Sequence, residues 1–366
     1  MKFDKEWEKW YNIIHEEIFM YYNWEEKTST EELKVVCNLI KNGELVIFPT
    51  ETVYGIGANA FDAEAVGKIF IAKGRPSDNP LIVHVGKKAD IEEIATDITK
   101  VEEKLIERFM PGPFTLILKK KPGVLPDIVT AGLDTVAVRI PKNLIAQAII
   151  TFSGVPIAAP SANISGRPSG TNIEDIKQEL ETKVSAVIDG GNTEVGLEST
   201  VVKVVDEVPV ILRPGKVTPE EIRKEIGAVR IDKNVFSKVS EGEVVASPGM
   251  KHRHYAPKTK CQLIYSKDDQ DQIFEINKRI KKYRGDVVVI GFTEHKKDIV
   301  VSESRFIDVG SKDNLDEFAK NIYSILRRAD HIKAQIILIE GVEISGLGVA
   351  IMNRLLRTCE YDYTEI

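Results

Sequence analysis

Leu45-Val46-Ile47-Phe48-Pro49-Thr50-Glu51-Thr52-Val53-Tyr54-Gly55 opens on an apolar run and ends in hydroxyls, a carboxylate and a phenol. The apolar half predicts a buried strand, and Pro49 marks where the chain must leave the sheet. Open α/β sheets place ligands at such strand ends. A turn capped by threonine and closed by glycine is also ordinary loop chemistry. The stretch therefore takes its meaning from its company.

About twenty residues on, Lys73-Gly74-Arg75-Pro76 follows a predicted helix, and Asn79-Pro80 leads into the strand-like Leu81-Ile82-Val83-His84. A lysine and an arginine on either side of a glycine make a compact cationic pair suited to phosphate or carboxylate oxygens. A third strand-end loop is Ala158-Ala159-Pro160-Ser161-Ala162-Asn163, with Gly166, Arg167, Pro168 and Ser169 after it; its small residues let a ligand approach the backbone. Thr135 and Arg139 share one face of a predicted strand by their even spacing. Gly196-Leu197-Glu198-Ser199-Thr200 precedes another strand, which leads on to Arg213-Pro214-Gly215. Five polar clusters, each at a strand end, outweigh the reading of any one of them as a turn.

Around these clusters, strand-like runs alternate with helical stretches at 63–72, 98–110, 144–152 and 173–180, and a hairpin falls near Val205 to Val210. This mixture predicts an α/β domain on a twisted mixed sheet with a ligand cleft, over residues 28–230. Ser and Thr caps followed by Glu at 28–32 predict its first helix, with Leu33, Val36, Leu39 and Ile40 on the apolar face. Before it, Trp7, Trp10, Ile14, Ile18 and Tyr21 recur at helical spacing, so residues 1–27 are expected to form an amphipathic helical extension. Residues 231–259 are polar and loop-like and read as a linker. Residues 260–366 alternate strands and helices at the spacing of a smaller Rossmann-like parallel domain, without the G-x-G-x-x-G of a dinucleotide site.

A net charge of −6 argues against broad attraction to nucleic acid. Cys37, Cys261 and Cys359 lie far apart without C-x-x-C pairing, which favours neither disulfides nor structural zinc and suits a reducing cytoplasm. The first twenty residues lack the layout of a signal peptide, and no apolar run is long enough to span a membrane. No Walker-type glycine loop, G-x-S-x-G or H-E-x-x-H is present. His252-x-His254 lacks a full set of metal partners, so no protein metal site is expected.

In order and spacing, the Pro49–Gly55 turn, the Lys73–Arg75 turn and the Ser161-x-Asn163 loop resemble the defining motifs of the YrdC/YciO family. Ser247-Pro248-Gly249-Met250-Lys251-His252-Arg253-His254-Tyr255-Ala256-Pro257, with the α/β region beyond it, resembles the family's long, two-domain form. The resemblance implies a nucleotidyltransferase that makes threonylcarbamoyl-adenylate from L-threonine, bicarbonate and ATP. A separate transferase would then pass the product to adenosine beside a tRNA anticodon. Matched position by position, it implies threonine binding by Thr52, His84, Arg139, Ala159 and Ser199, and ATP binding by Lys73, Arg75, Asn79, Thr135, Ser161, Asn163, Ser169 and Arg213. Lys73 and Arg75 would act on the reacting phosphate, and Tyr255 would fold back over the nucleotide. Magnesium would arrive with the triphosphate. Direct RNA contact by a noncatalytic relative is the competing expectation, opposed by the acidic charge and by the complete set of threonine-site matches.

Overall fold

The computed structural model describes residues 19–25, 28–238 and 255–366. Twelve strands form the larger sheet. Across it run Met20–Asn23, Ala186–Asp189, Val46–Phe48, Gly55–Asn59, Ile157–Ala158, Ile82–His84, Thr135–Arg139, Phe114–Lys120, Thr200–Val205, Val208–Arg213 and Arg230–Ile231, with Ala95–Thr96 paired beside Phe114–Lys120. Parallel and antiparallel pairs are mixed: Ile82–His84 lies parallel to Thr135–Arg139 and antiparallel to Ile157–Ala158. The mixed sheet expected from the alternating runs is therefore present.

Ala95–Thr96, Arg230–Ile231 and Tyr363–Glu365 are short strands that the sequence reading did not include, and two more strands depart from it further. Gly55–Asn59 continues antiparallel beside Val46–Phe48, where only a closing turn was expected. Its two glycines have little strand propensity, but Gly57 is required. A Cβ there would stand 2.5 Å from the Phe48 ring and 2.7 Å from Ile157. Met20–Asn23 is also a strand, parallel to Ala186–Asp189, so Tyr21 is not helical and the large domain begins before residue 28. The Tyr21 hydroxyl donates to Asp189 at 2.6 Å, and buried Trp24 donates its indole N–H to Glu32 at 2.9 Å. Sheet pairing thus overrides the helical spacing at this end. The rest of the expected aromatic helix, Trp7 to Ile18, lies outside the described residues, as does the linker from Ser247 to His254.

The predicted first helix is Thr30–Lys41, opened by a capping box between Ser29 and Glu32, with Val36 and Ile40 fully buried. Ala63–Lys73 ends at Gly74, whose φ of 60° reverses the chain and delivers Arg75 to the strand-end side.

The second sheet is wholly parallel, in the order Phe306–Asp308, Val287–Gly291, Ile336–Glu340, Cys261–Tyr265, Tyr363–Glu365. Helices Asp269–Lys282, Leu315–His331 and Gly348–Thr358 pack on it. Its apolar core admits Val53 and Leu197 of the large domain and Tyr255 of the linker, so the two domains share a buried seam. Among the described residues no helix is long and apolar enough to cross a membrane.

Candidate active site

Beyond Phe48 the chain turns on Thr50. Its Oγ1 accepts from the N–H groups of Thr52 and Val53 at 3.2 and 3.3 Å, and donates to the Val53 carbonyl at 2.7 Å. That local closure holds Glu51 and Thr52 in the buried turn. Arg139, at the end of Thr135–Arg139, meets both: Nη1 donates to Thr52 Oγ1 at 2.8 Å, and Nη2 stands 2.8 Å from Glu51 Oε1. Arg139 and Glu51 are almost fully buried, and the Nη2 contact is close but poorly aligned for a hydrogen bond. Burial pushes the Glu51 carboxyl up, and Arg139 outweighs it, leaving the group below its usual range.

His84 ends the neighbouring strand, level with Arg139. Burial, then the Arg139 charge, push its imidazole down to about 3, so the ring is neutral at physiological pH. Its Nδ1 is buried without a hydrogen-bond partner. A neutral ring with an unmatched nitrogen beside a guanidinium is built to meet a polar ligand.

The opposite wall is cationic. Lys73 is buried, and its ammonium donates to the carbonyls of Ser161 and Asn163 at 2.5 and 2.6 Å. Burial, then the nearby Arg75 charge, hold it well below the usual lysine value. Arg75 is half-buried, and its Nη2 donates to the carbonyls of Asn79 and Pro80 at 3.3 and 3.1 Å. Burial is the main force bringing its guanidinium down to about 10, and Arg213 adds to it. Arg213 donates through Nε and Nη2 to the Ser199 carbonyl at 3.1 and 3.0 Å, and through Nη2 to Ser199 Oγ at 3.0 Å. Lys73, Arg75 and Arg213 thus join Arg139 in lining one cavity, and its carboxylate, Glu198, is paired with Arg354. Such a wall holds positive potential in a poorly solvated place, where a polyanion gains most.

Short loops complete the enclosure. Ser161 Oγ donates to Asn163 Oδ1 at 2.5 Å, and Asn163 Nδ2 donates to the carbonyls of Ile164 and Arg167. Ser169 Oγ donates to Glu198 Oε1 at 2.6 Å, and the hydroxyls of Ser199 and Thr115 are 2.7 Å apart. Tyr255 closes one side, its ring stacked on Tyr323 at 5.3 Å between centroids. Counted out to where it opens to solvent, the space is about 730 Å³.

The Sua5/YciO/YrdC family model, described as telomere recombination, matches residues 38–215, and the model for the C-terminal domain of threonylcarbamoyl-AMP synthase matches 217–359. Threonylcarbamoyl-AMP synthase of Pyrococcus abyssi is 43% identical over 93% of this chain and 97% of its own length. That of Bacillus subtilis is 41% identical over 90% and 93%. The chain belongs to the Sua5/YciO/YrdC family. Within it, the crystal structure of P. abyssi Sua5 complexed with L-threonine superposes with a TM-score of 0.86 at 41% identity, covering 95% of this chain and 99% of that one. A shorter relative, the putative threonylcarbamoyl-AMP synthase of Methanocaldococcus jannaschii, is 37% identical, covering 58% of this chain but 99% of its own length.

Of the family positions expected from sequence, Thr52, Lys73, Arg75, His84, Arg139, Ala159, Ser161, Asn163, Ser169, Ser199, Arg213 and Tyr255 come together around the one cavity. Asn79 and Thr135 do not line it. They precede Ile82 and Ala137 at the starting ends of two paired parallel strands, with Asn79 buried and its Nδ2 without a partner. Sequence reasoning gave no role to Glu51, Thr115, Glu198, Tyr323 or Arg354. Glu51 and Glu198 stood inside the quoted clusters, and Thr115 is a hydroxyl inside an apolar strand. Tyr323 and Arg354 carried no signal, because they arrive from another domain.

Proposed function

We propose that this chain joins L-threonine, bicarbonate and ATP into threonylcarbamoyl-adenylate, with release of pyrophosphate. One observation carries the reading. The cations Lys73, Arg75 and Arg213 share a single cavity with a cluster in which neutral His84 accompanies Thr52 and Arg139. The first suits a triphosphate and the second suits an amino acid. In this assignment Arg139, Thr52, His84, Ser199 and the backbone at Ala159 hold threonine. Arg75 and Arg213 hold phosphates, Ser161, Asn163 and Ser169 shape the floor, and Asn79 and Thr135 serve the nucleotide beyond the cavity's edge. Lys73 stiffens the Ser161–Asn163 loop and adds its charge, and Tyr255 covers the nucleotide.

The threonine amine forms a bond to the carbon of bicarbonate, a C–O bond breaks, and water leaves carrying the amine proton, which gives a carbamate. A carbamate oxygen lone pair then forms a bond to the α-phosphorus, and the bond to the β-phosphate oxygen breaks with its electrons leaving on pyrophosphate. Every group needed from the protein is one that positions reactants or stabilises charge. Carbamates decompose in water, so enclosure of the cavity is itself part of catalysis.

Magnesium fits as an ion carried by phosphates and water. Among the described residues no three metal-ligating side chains gather, and the nearby carboxylates Glu51 and Glu198 are taken by Arg139 and Arg354. The labile product implies a tRNA-modifying transferase acting in the same compartment, the cytoplasm.

Incubation with ATP, bicarbonate and single amino acids, read as pyrophosphate, tests the proposal. Threonine should stimulate release well above serine or no amino acid. An equal signal from all three, or tight RNA binding with no release, defeats it.

A further inference from the structure

Helix Leu315–His331 of the second domain turns Tyr323 and Arg327, four residues apart and therefore on one face, toward the cavity's nucleotide wall. Arg354 joins them from helix Gly348–Thr358. Each touches the large domain at a residue beside one assigned to ATP or threonine. Arg327 Nη2 donates to the carbonyl of Pro168, next to Ser169, while its Nη1 donates to Glu179 at 2.6 Å and its Nε stands 3.6 Å from Asp175. Arg354 Nη1 donates to the carbonyl of Pro214 at 2.9 Å, next to Arg213. Tyr323 Oη and Arg354 Nε donate to Glu198 Oε2 at 2.6 and 2.9 Å, next to Ser199. Glu198 then accepts Ser169 Oγ on its other oxygen.

We infer that the second domain is the rear support of the nucleotide wall, with Tyr323, Arg327 and Arg354 as positioning residues for Ser169 and Arg213. This rests on the nucleotide assignment of that wall made above.

A mere domain contact has no reason to place its buried polar atoms one residue from three separate ligand positions. Nor would it readily bury an arginine completely and leave its Nη2 without a hydrogen-bond partner, since an ion pair withdrawn from water gains little unless its geometry is fully satisfied. Burial pushes the Glu198 carboxyl up, yet Arg354, Arg213 and the donors Ser169 and Tyr323 bring it down to about 2, so it is an anion at every working pH. Arg354 and Tyr323 hold one of its oxygens and Ser169 the other, so the carboxylate is tied on both sides. Backbone shape agrees. Gly196 has a φ of 74°, and a Cβ there would lie 2.1 Å from the Lys320 carbonyl oxygen, so the helix seats directly on the loop leading to Ser199. Leu197, fully buried, enters the second domain's core beside Val53.

The wall should therefore loosen toward ATP, and not toward threonine, when these side chains are cut back. The test compares full-length wild type, Tyr323→Phe, Arg327→Met, Arg354→Met and Arg213→Ala. Pyrophosphate release supplies KM for ATP and kcat, and calorimetry without nucleotide supplies threonine affinity. Loss of a buried bond to a charged group predicts about a tenfold rise in KM for ATP in Arg354→Met, and a rise of a few-fold in Tyr323→Phe and Arg327→Met. Threonine affinity should stay within about twofold of wild type. Tyr323→Phe removes one hydroxyl and keeps the ring, so it decides the matter if Arg354→Met does not fold. An ATP KM unchanged in Tyr323→Phe and Arg354→Met, while Arg213→Ala raises it, overturns the inference alone. An Arg213→Ala protein with wild-type ATP kinetics overturns the nucleotide assignment beneath it. Parallel loss of ATP and threonine binding with a fall in melting temperature would reduce these residues to general scaffolding.

Discussion

Both sheets end in a hollow lined by a histidine, cationic side chains and strand-end glycines or hydroxyls. In the large domain these are His84, Arg75, Arg213 and Ser161; in the second they are His295, Lys312, Ser266 and Gly341. The second hollow is the roomier, about 1000 Å³. Its histidine and Lys312 are matched within the domain: His295 Nδ1 is 2.9 Å from Glu340, Nε2 is 3.6 Å from Asp269, and Lys312 is bound to Asp269. Each hollow holds one histidine nitrogen without a hydrogen-bond partner, but His295 has Glu340 and Asp269 beside it. The first hollow instead places His84 beside Arg139 and keeps Lys73, Arg75 and Arg213, with the Arg75 Nε also unpartnered. Position at a strand end is common to both. Charge left unbalanced in a buried place is what distinguishes a site for a polyanion from a self-satisfied hollow.

The sharpest way to break that comparison is to remove one cation from each hollow. Arg75→Ala should reduce ATP-dependent pyrophosphate release by at least about a hundredfold, since an ionic partner of a phosphate in a low-dielectric cleft is lost. Lys312→Ala should leave release within about twofold, because Lys312 answers only its own Asp269. Steady-state assays of the two proteins side by side decide it. An active Arg75→Ala enzyme would remove the distinction drawn between the hollows.

Next in size is the buried Glu51–Arg139 pair. Glu51→Ala leaves Arg139 as a buried charge without its counterion and should cost about 3–5 kcal/mol of stability. It should also weaken threonine binding, since the same guanidinium is steadied against Thr52. Glu340→Ala should destabilise the second domain by stripping His295 of its partner, while threonine affinity holds. Thermal unfolding with threonine titration separates the two. Weakened threonine binding in both variants would mean that the second hollow also feeds the amino-acid site.

What the sequence showed of this arrangement follows from how local each feature is. The strand Val46–Phe48 and the turn after it were legible because four apolar residues and a proline announce them within one window. Helix Ile173–Leu180 matched its predicted bounds, since its apolar residues repeat cleanly and Asn172 caps it. Gly55–Asn59 was not legible: its glycines serve contacts with Phe48 and Ile157, made only after the sheet forms. Met20–Asn23 was hidden by tryptophans and tyrosines at helical spacing. The site shows the same division. Thr52, Arg75, His84 and Arg139 sat in recognisable strand-end clusters, whereas Tyr323 and Arg354 act across a domain seam that no local window contains.

The smallest expected effect is also the most direct measure of the contrast, because the two buried histidines are driven in opposite directions. Burial and Arg139 lower His84 to about 3, against 6.5 in the unfolded chain. As pH falls below 6.5 the unfolded state takes up a proton that the folded site refuses, so stability is full above 6.5 and declines toward 3. At pH 5 that decline amounts to about 2 kcal/mol. For His295 the hydrogen bond to Glu340 leads, burial opposes it, and Glu340 and Asp269 add enough charge to raise the group. Its contribution is full below 6.5 and disappears as pH rises through the raised folded value. Melting curves from pH 5 to 8 for wild type, His84→Asn and His295→Asn isolate each contribution as a difference from wild type. The His84 difference should turn against wild type on the acid side, and the His295 advantage should shrink on the alkaline side. If both differences ran the same way with pH, His84 would be as well matched as His295, and the large domain's cavity would have no unsatisfied imidazole to offer a ligand.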